Sequence, residues 1–200
     1  MKVANNILID RLFSDILTKV ESKGYYKRVK NNGYITYFYR IVLSKQYLCN
    51  PTIDRRYQDR ILNINFNSYN KTKAIIINGS YISSTLTIDI NYYIGDNVSI
   101  KNNSILLHEL VHFYQHISNN VMYMPNTRIR DTNIDVYKLN NKNEYTLIDY
   151  YLTDIEFYPH IVQYKYLKNN NYKLPPCYYR MVNILETNNY NKYKKFKGKI

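Results

Sequence analysis

The feature that most constrains this chain is the run Ile105-Leu106-Leu107-His108-Glu109-Leu110-Val111-His112-Phe113-Tyr114-Gln115-His116. Its apolar residues recur at helical spacing, and three of the chain's four histidines fall within the nine positions 108 to 116. On a helix, residues four apart lie one turn apart on a single face, so the imidazoles of His108 and His112 can reach one point. The rest of the helix is apolar enough to demand burial. Any fold must therefore supply a layer for it to pack on, while keeping the two-histidine face usable.

The preceding chain reads as that layer. Residues 3 to 22 form an amphipathic pattern through Val3, Ile7, Leu8, Leu12, Ile16, Leu17 and Val20, with Gly24 a suitable stop. Residues 33 to 93 read as sheet: Gly33 to Leu43 and Arg60 to Asn67 are rich in β-branched and aromatic residues. Ala74 to Ile77, then Asn78-Gly79, then Ser80 to Ile82 reads as a hairpin, since Asn-Gly tolerates the positive φ of a two-residue turn. Leu86, Ile88, Ile90 and Tyr92 alternate with Thr87, Asp89 and Asn91, as a half-buried strand requires. The histidine helix starts between Ser99 and Ser104 and ends near Ile117. A long Asn-rich loop follows over 118 to 143, with a short strand around Ile134 to Leu139. A second helical region lies between Glu144 and Lys168. Pro175-Pro176 ends regular structure, and Tyr178 to Leu185 reads as a last short helix. We expect one α+β domain over residues 1–200, with a basic tail from about 188 to 200.

H-E-x-x-H is ligand chemistry. Zinc takes imidazole nitrogen at about 2.0–2.1 Å and, in catalytic sites, keeps a position for water, whose pKa it lowers. Glu109, next to the first histidine, points to the side of the pair and can take the proton of an attacking water. His116 extends the ladder, but three successive turns spread the rings over about 12 Å of axis, too far for one ion. We read it as a rim or surface residue.

With these residues the sequence resembles the zincin metallopeptidases over roughly residues 73 to 165, and specifically only at H-E-x-x-H. The resemblance implies a zincin-like fold: an N-terminal helix, a small twisted mixed or antiparallel sheet, an edge strand beside the active-site helix, and a second helix carrying the third zinc ligand. Leu86 to Tyr93 stands where the edge strand belongs, and that strand would pair with extended substrate through its backbone. The metzincin pattern is absent, because Gln115 stands in the glycine position and Ser118 in that of the third histidine. The gluzincin pattern places a Glu on a later helix. Glu156, 44 positions after His112 (156 − 112), is the best match, with Asp154 next and Glu144 third. In that subgroup an acidic residue often follows the Glu by four, supporting a ligand histidine. Here His160 stands there instead, leaving its role open among outer support, oxyanion stabilisation and neither.

Glu156 also has a purely structural reading. Thr153-x-x-Glu156 is a capping box, in which the carboxylate bonds back to the start of its own helix, and Pro159 would remove a hydrogen bond just past the first turn. Tyr114, Tyr150, Tyr151 and Tyr158 lie near the motifs and could supply an oxyanion-stabilising phenol. With 25 tyrosines in the chain, no single one is selected.

Composition sets the remaining expectations. Net charge is +13, from 28 Lys and Arg against 15 Asp and Glu. This invites a polyanion, yet the one dense basic run is Lys192 to Lys199, where lysines alternate with Tyr193 and Phe196. The wealth of Asn, Ile, Lys and Tyr matches A/T-rich codons and points to a phage, virus or low-GC bacterium. Cys49 and Cys177 have no partner at metal-ligand spacing. No segment supplies the roughly 20 apolar residues that span a bilayer. Asp10, Asp15 and Glu21 interrupt any N-terminal signal pattern. The expected setting is cytoplasmic, meaning host cytoplasm or virion for a virus-encoded chain.

Three functions follow, in order. The first is a zinc peptidase with His108, His112 and Glu156 as ligands, Glu109 as base, and a peptide in an edge-strand cleft. The second is a virion or assembly protein on the same fold, its zinc structural or lost, with other virion proteins as partners. The third is a basic protein binding nucleic acid through its C-terminal tail.

Overall fold

The computed structural model describes residues 6–31, 33–48, 54–70, 78–93, 99–118 and 154–173. The chain divides into two compact units, Met1–Asn120 and Val121–Ile200. Among the described residues it is a mixed α+β protein with three α-helices and a five-stranded mixed sheet.

The first unit opens with α1 (Ile7–Glu21). Asn6 starts it, its side-chain oxygen accepting from the amides of Leu8 and Ile9 at 3.1 and 3.3 Å, which satisfies two of the N–H groups a helix start leaves open. The buried stripe is Leu8, Ile9, Leu12, Phe13 and Ile16. The helical period is the expected one, but rotated: Ile7 is 76% exposed, and Ile9 and Phe13 take the inward places. The left-handed residue that ends α1 is Lys23 (φ 54°), not Gly24. The Gly24 amide closes the last turn by donating to the Lys19 carbonyl at 2.8 Å.

The strands are β1 (Lys27–Asn31), β2 (Tyr34–Val42), β3 (Ile61–Tyr69), β4 (Gly79–Ile82) and β5 (Thr87–Tyr93), in spatial order β1-β2-β3-β5-β4. The β3–β5 pair is parallel and every other pair antiparallel. β1 was not foreseen, since Lys27-Arg28-Val29-Lys30-Asn31 carries almost no apolar residue. As an exposed edge strand it needs none.

Two expectations about the sheet are corrected. Asn78-Gly79 is not a hairpin turn: Gly79 lies in β4, paired with Ile90, and the turn into β5 is Ser83 to Leu86. Leu86 is buried but sits at φ 48°, so it belongs to that turn and not to the strand. The strand 87–93 is also interior, between β3 and β4, so among the described residues the sheet edge beside the histidine helix is β4.

The register sorts the side chains onto two faces. Leu62, Ile64 and Phe66 of β3 and Ile88 and Ile90 of β5 are buried and share one face. α2 (Ser99–Ile117) lies on that face, where Tyr81 of β4 meets His116 and Phe113. α1 packs on α2 and β2. Seven apolar side chains of α2, from Ile105 to Ile117, are 6% exposed or less. At about 1.5–3 kcal/mol for each fully buried large side chain, this helix is a main source of the unit's stability.

In the second unit the described residues form α3 (Asp154–Asn169), which continues through Pro159. Among its described side chains Pro159, Ile161, Val162, Tyr166 and Leu167 are buried. Asn171 (φ 51°) ends it, and the Tyr172 amide reaches back to the Leu167 carbonyl at 3.0 Å. The strand expected at 134–139, the helix expected at 178–185 and the basic tail lie outside the described residues.

Candidate metal centre

His108 and His112 occupy successive turns of α2, and both are buried, at 9% and 8% exposure. Their Nε2 atoms stand 3.1 Å apart. Two nitrogens on one tetrahedral zinc at 2.0–2.1 Å are about 3.3–3.4 Å apart, so the pair is within a few tenths of an ångström of ligand spacing. The outer nitrogen of His112 is held as well. Its Nδ1 lies 3.1 Å from Oε1 of Gln115, one turn further along α2. An amide oxygen only accepts, so Nδ1 carries the proton and Nε2 presents its lone pair towards His108. This is the outer support that ligand histidines commonly have. The spacing of the pair and the lone pair left on His112 Nε2 therefore fit a zinc ion.

Gln115 was read from the sequence only as a departure from another subgroup. Its position three residues after His112, on the same helical face, was the available signal.

Glu109 is buried at 6% exposure and faces the start of β4. A Cβ on Gly79 would lie 2.9 Å from Glu109 Oε1 and 2.5 Å from Ile105 Cγ2. The absence of a side chain at Gly79 is what lets edge strand and carboxylate approach, which is why a glycine stands in a strand it would otherwise weaken.

His116 is not a rim residue. It is half-buried, with Nδ1 2.6 Å from the Tyr81 hydroxyl and Nε2 3.1 Å from the Tyr57 hydroxyl. Both rings also pack against it, at 5.4 and 5.8 Å between centroids. Burial holds its pKa below the usual histidine value. It ties α2 to β4 and to the 3-10 turn Arg55–Tyr57.

On α3, Glu156 and His160 are four residues apart, with Oε2 and Nε2 at 3.6 Å and both side chains 12% exposed. Thr153, the other half of the proposed capping box, lies outside the described residues, as do Glu144, Tyr150, Tyr151 and the side chain of Asp154. Tyr114 and Tyr158 are both partly exposed. By donor type, Glu156 and His160 of α3 could each offer a metal ligand. Among the described residues no helix is long and apolar enough to cross a membrane. Compared with protein-family models, with curated proteins and with solved structures, the chain has no match.

Proposed function

We propose that the chain is a zinc-dependent peptidase of gluzincin type, with His108, His112 and Glu156 as ligands and Glu109 as general base. The observation that carries this reading is the paired geometry on α2: two Nε2 atoms 3.1 Å apart, with the outer nitrogen of one fixed by Gln115. The third ligand is assigned from the sequence to Glu156, and His160, 3.6 Å from its carboxylate, would hold that carboxylate in place.

Zinc, when bound, would supply Lewis acidity toward the scissile carbonyl and toward water. The protein's own residues do the rest. Glu109 accepts the proton of the attacking water and delivers it to the departing amine. Burial of Glu109 keeps bulk water from competing for it. β4, the edge strand among the described residues, whose Gly79 abuts Glu109, supports binding of the substrate as an added strand, since an extended peptide can pair with a sheet edge through its backbone.

The test is zinc content by elemental analysis of the wild type and of His108→Ala, Glu156→Ala, His160→Ala and Asp154→Ala. The expected result is one zinc per chain, lost with His108 and Glu156 and retained with Asp154. Glu109→Gln should keep zinc and lose hydrolysis of a peptide library. A wild type that takes up no zinc on reconstitution would overturn the proposal.

A further inference from the structure

The second face of the sheet, opposite α2, has its own chemistry. Register partners place its side chains in rows across the strands. One row is Tyr34, Tyr69 and Tyr93. The next is Thr36, Asn67 and Asn91, followed by Lys27, Phe38, Asn65 and Asp89, and then Arg40 and Asn63.

The middle rows are tied laterally. Thr36 Oγ1 donates to Asn67 Oδ1 at 2.7 Å, Asn67 Nδ2 to Asn91 Oδ1 at 2.9 Å, and Asn65 Nδ2 to Asp89 Oδ1 at 2.9 Å. A pre-ordered plane of amides results.

The β1–β2 side of this face is cationic and aromatic together. The Arg40 guanidinium lies 3.9 Å from the centre of the Tyr26 ring, and Lys27 Nζ lies 5.8 Å from that of Phe38. Tyr26 is 48% exposed, and the paired Val42 and Ile61 on the same face are 54% and 40% exposed. Lys27 and Arg40 are the cations that the register places on this face, Arg28 and Lys30 pointing to the other, and Asp89 stands at the far end of the Lys27 row. Charged residues on an edge strand also block strand pairing, but that role needs neither stacked rings nor a plane of amides.

We propose that this sheet face binds single-stranded nucleic acid. Lys27 and Arg40 would neutralise backbone phosphates, Tyr26 and its guanidinium lid would stack an unpaired base, and the amide rows would meet base edges. Each component matches what single strands require: a positive track, exposed π-faces, and donors and acceptors that a duplex could not reach from a flat sheet. The site is independent of the zinc reading, since none of its residues belongs to α2.

The experiment is fluorescence anisotropy of the full-length protein with labelled 20-nucleotide dT and rU strands, over a salt series. Matched duplex, heparin and inorganic polyphosphate serve as competitors. Tyr26→Ala should weaken single-strand binding at least about fivefold. Lys27→Gln with Arg40→Gln should reduce the log–log salt slope by about 1.4, at roughly 0.7 per lost phosphate contact. All three side chains are exposed, and circular dichroism checks that the variants remain folded. Lys194→Gln with Lys195→Gln, in the C-terminal run, should leave the effects of the face variants in place. Three results would overturn the proposal: no binding at low salt, equal competition by polyphosphate with Tyr26→Ala silent, or complete loss with the C-terminal variant alone.

Discussion

Gly79→Ala is a substitution whose sign separates two accounts of the β4–α2 contact. Gly79 lies in a strand, and among the described glycines only Gly33 has positive φ (93°), so no backbone demand reserves the position for glycine. On conformational grounds alone, alanine in a strand should stabilise by about 0.5–1 kcal/mol. The added methyl would instead stand 2.5 Å from Ile105 Cγ2 and 2.9 Å from Glu109 Oε1. Carbon pairs rest at about 3.5–4.0 Å, so Ile105 or the strand must move by about 1 Å. Overpacking of this kind costs about 1–3 kcal/mol, so the net expectation is destabilisation centred on about 1 kcal/mol and reaching about 2.5 kcal/mol. Urea unfolding of the wild type, Gly79→Ala, Ile105→Ala and the double variant measures it. Removing Cγ2 in Ile105→Ala opens a cavity and is costly by itself, but in that background Gly79→Ala should lose about 1 kcal/mol or more of its penalty. Activity should fall further than stability, because the other displaced group is the Glu109 carboxylate. A Gly79→Ala protein as stable as the wild type, or more so, would refute the close approach of β4 to α2.

Three further outcomes are expected. Gln115→Leu should weaken zinc binding by about 10- to 100-fold in a competitive chelator titration while leaving the fold intact, because it removes the group that fixes the His112 tautomer. Lys23→Gly should raise the urea midpoint, with a gain of up to about 1 kcal/mol, since Lys23 is exposed and held at φ 54° where glycine carries no Cβ penalty. For His116, burial lowers the folded pKa below 6.5, and the groups facing the ring are the Tyr57 and Tyr81 hydroxyls. As pH falls through 6.5 the unfolded chain takes up its proton first, so the stabilisation is full above that value and is lost as pH drops toward the folded pKa. With chelator present to exclude metal effects, unfolding free energy should fall on acidification from pH 7.5, and His116→Gln should flatten that slope.

What the sequence disclosed, and what it hid, follows from how local each signal was. The histidine helix was legible, its end at Ile117 and its start bracketed between Ser99 and Ser104, because apolar period and H-E-x-x-H coincide over a dozen positions. β2 and β3 were legible from their β-branched and aromatic content. The errors arose where a residue's meaning depended on a distant partner. Asn78-Gly79 carries a local turn signature, yet Gly79 is small because Ile105 and Glu109, some 26 to 30 positions on (105 − 79, 109 − 79), need the space. Lys23 adopts the left-handed conformation with Gly24 beside it, because the bond from the Gly24 amide to the Lys19 carbonyl sets which residue turns. His116 looked like a surface residue because the two tyrosines that bury it come from 59 and 35 positions away (116 − 57, 116 − 81). β1 was invisible because an edge strand with both faces exposed has no burial pattern to read.

The asparagines of β3 connect these readings. Leu62, Ile64 and Phe66 alternate with Asn63, Asn65 and Asn67, and a shift of β3 by one residue would carry all three asparagines under α2 and all three apolar side chains outward. The shift would cost the burial of three large side chains and also the bonds that Asn65 and Asn67 make to Asp89 and Asn91, which exist only in this register. A parallel β3–β5 pair has no tight turn to set its alignment, so side chains must set it. The amide rows therefore fix the alignment of β5, and through β5 that of β4, whose Gly79 must reach the level of Glu109. The polar face and the metal-side face are thus one construction: the order of the amides on one side of the sheet determines where the edge strand meets the catalytic carboxylate proposed on the other.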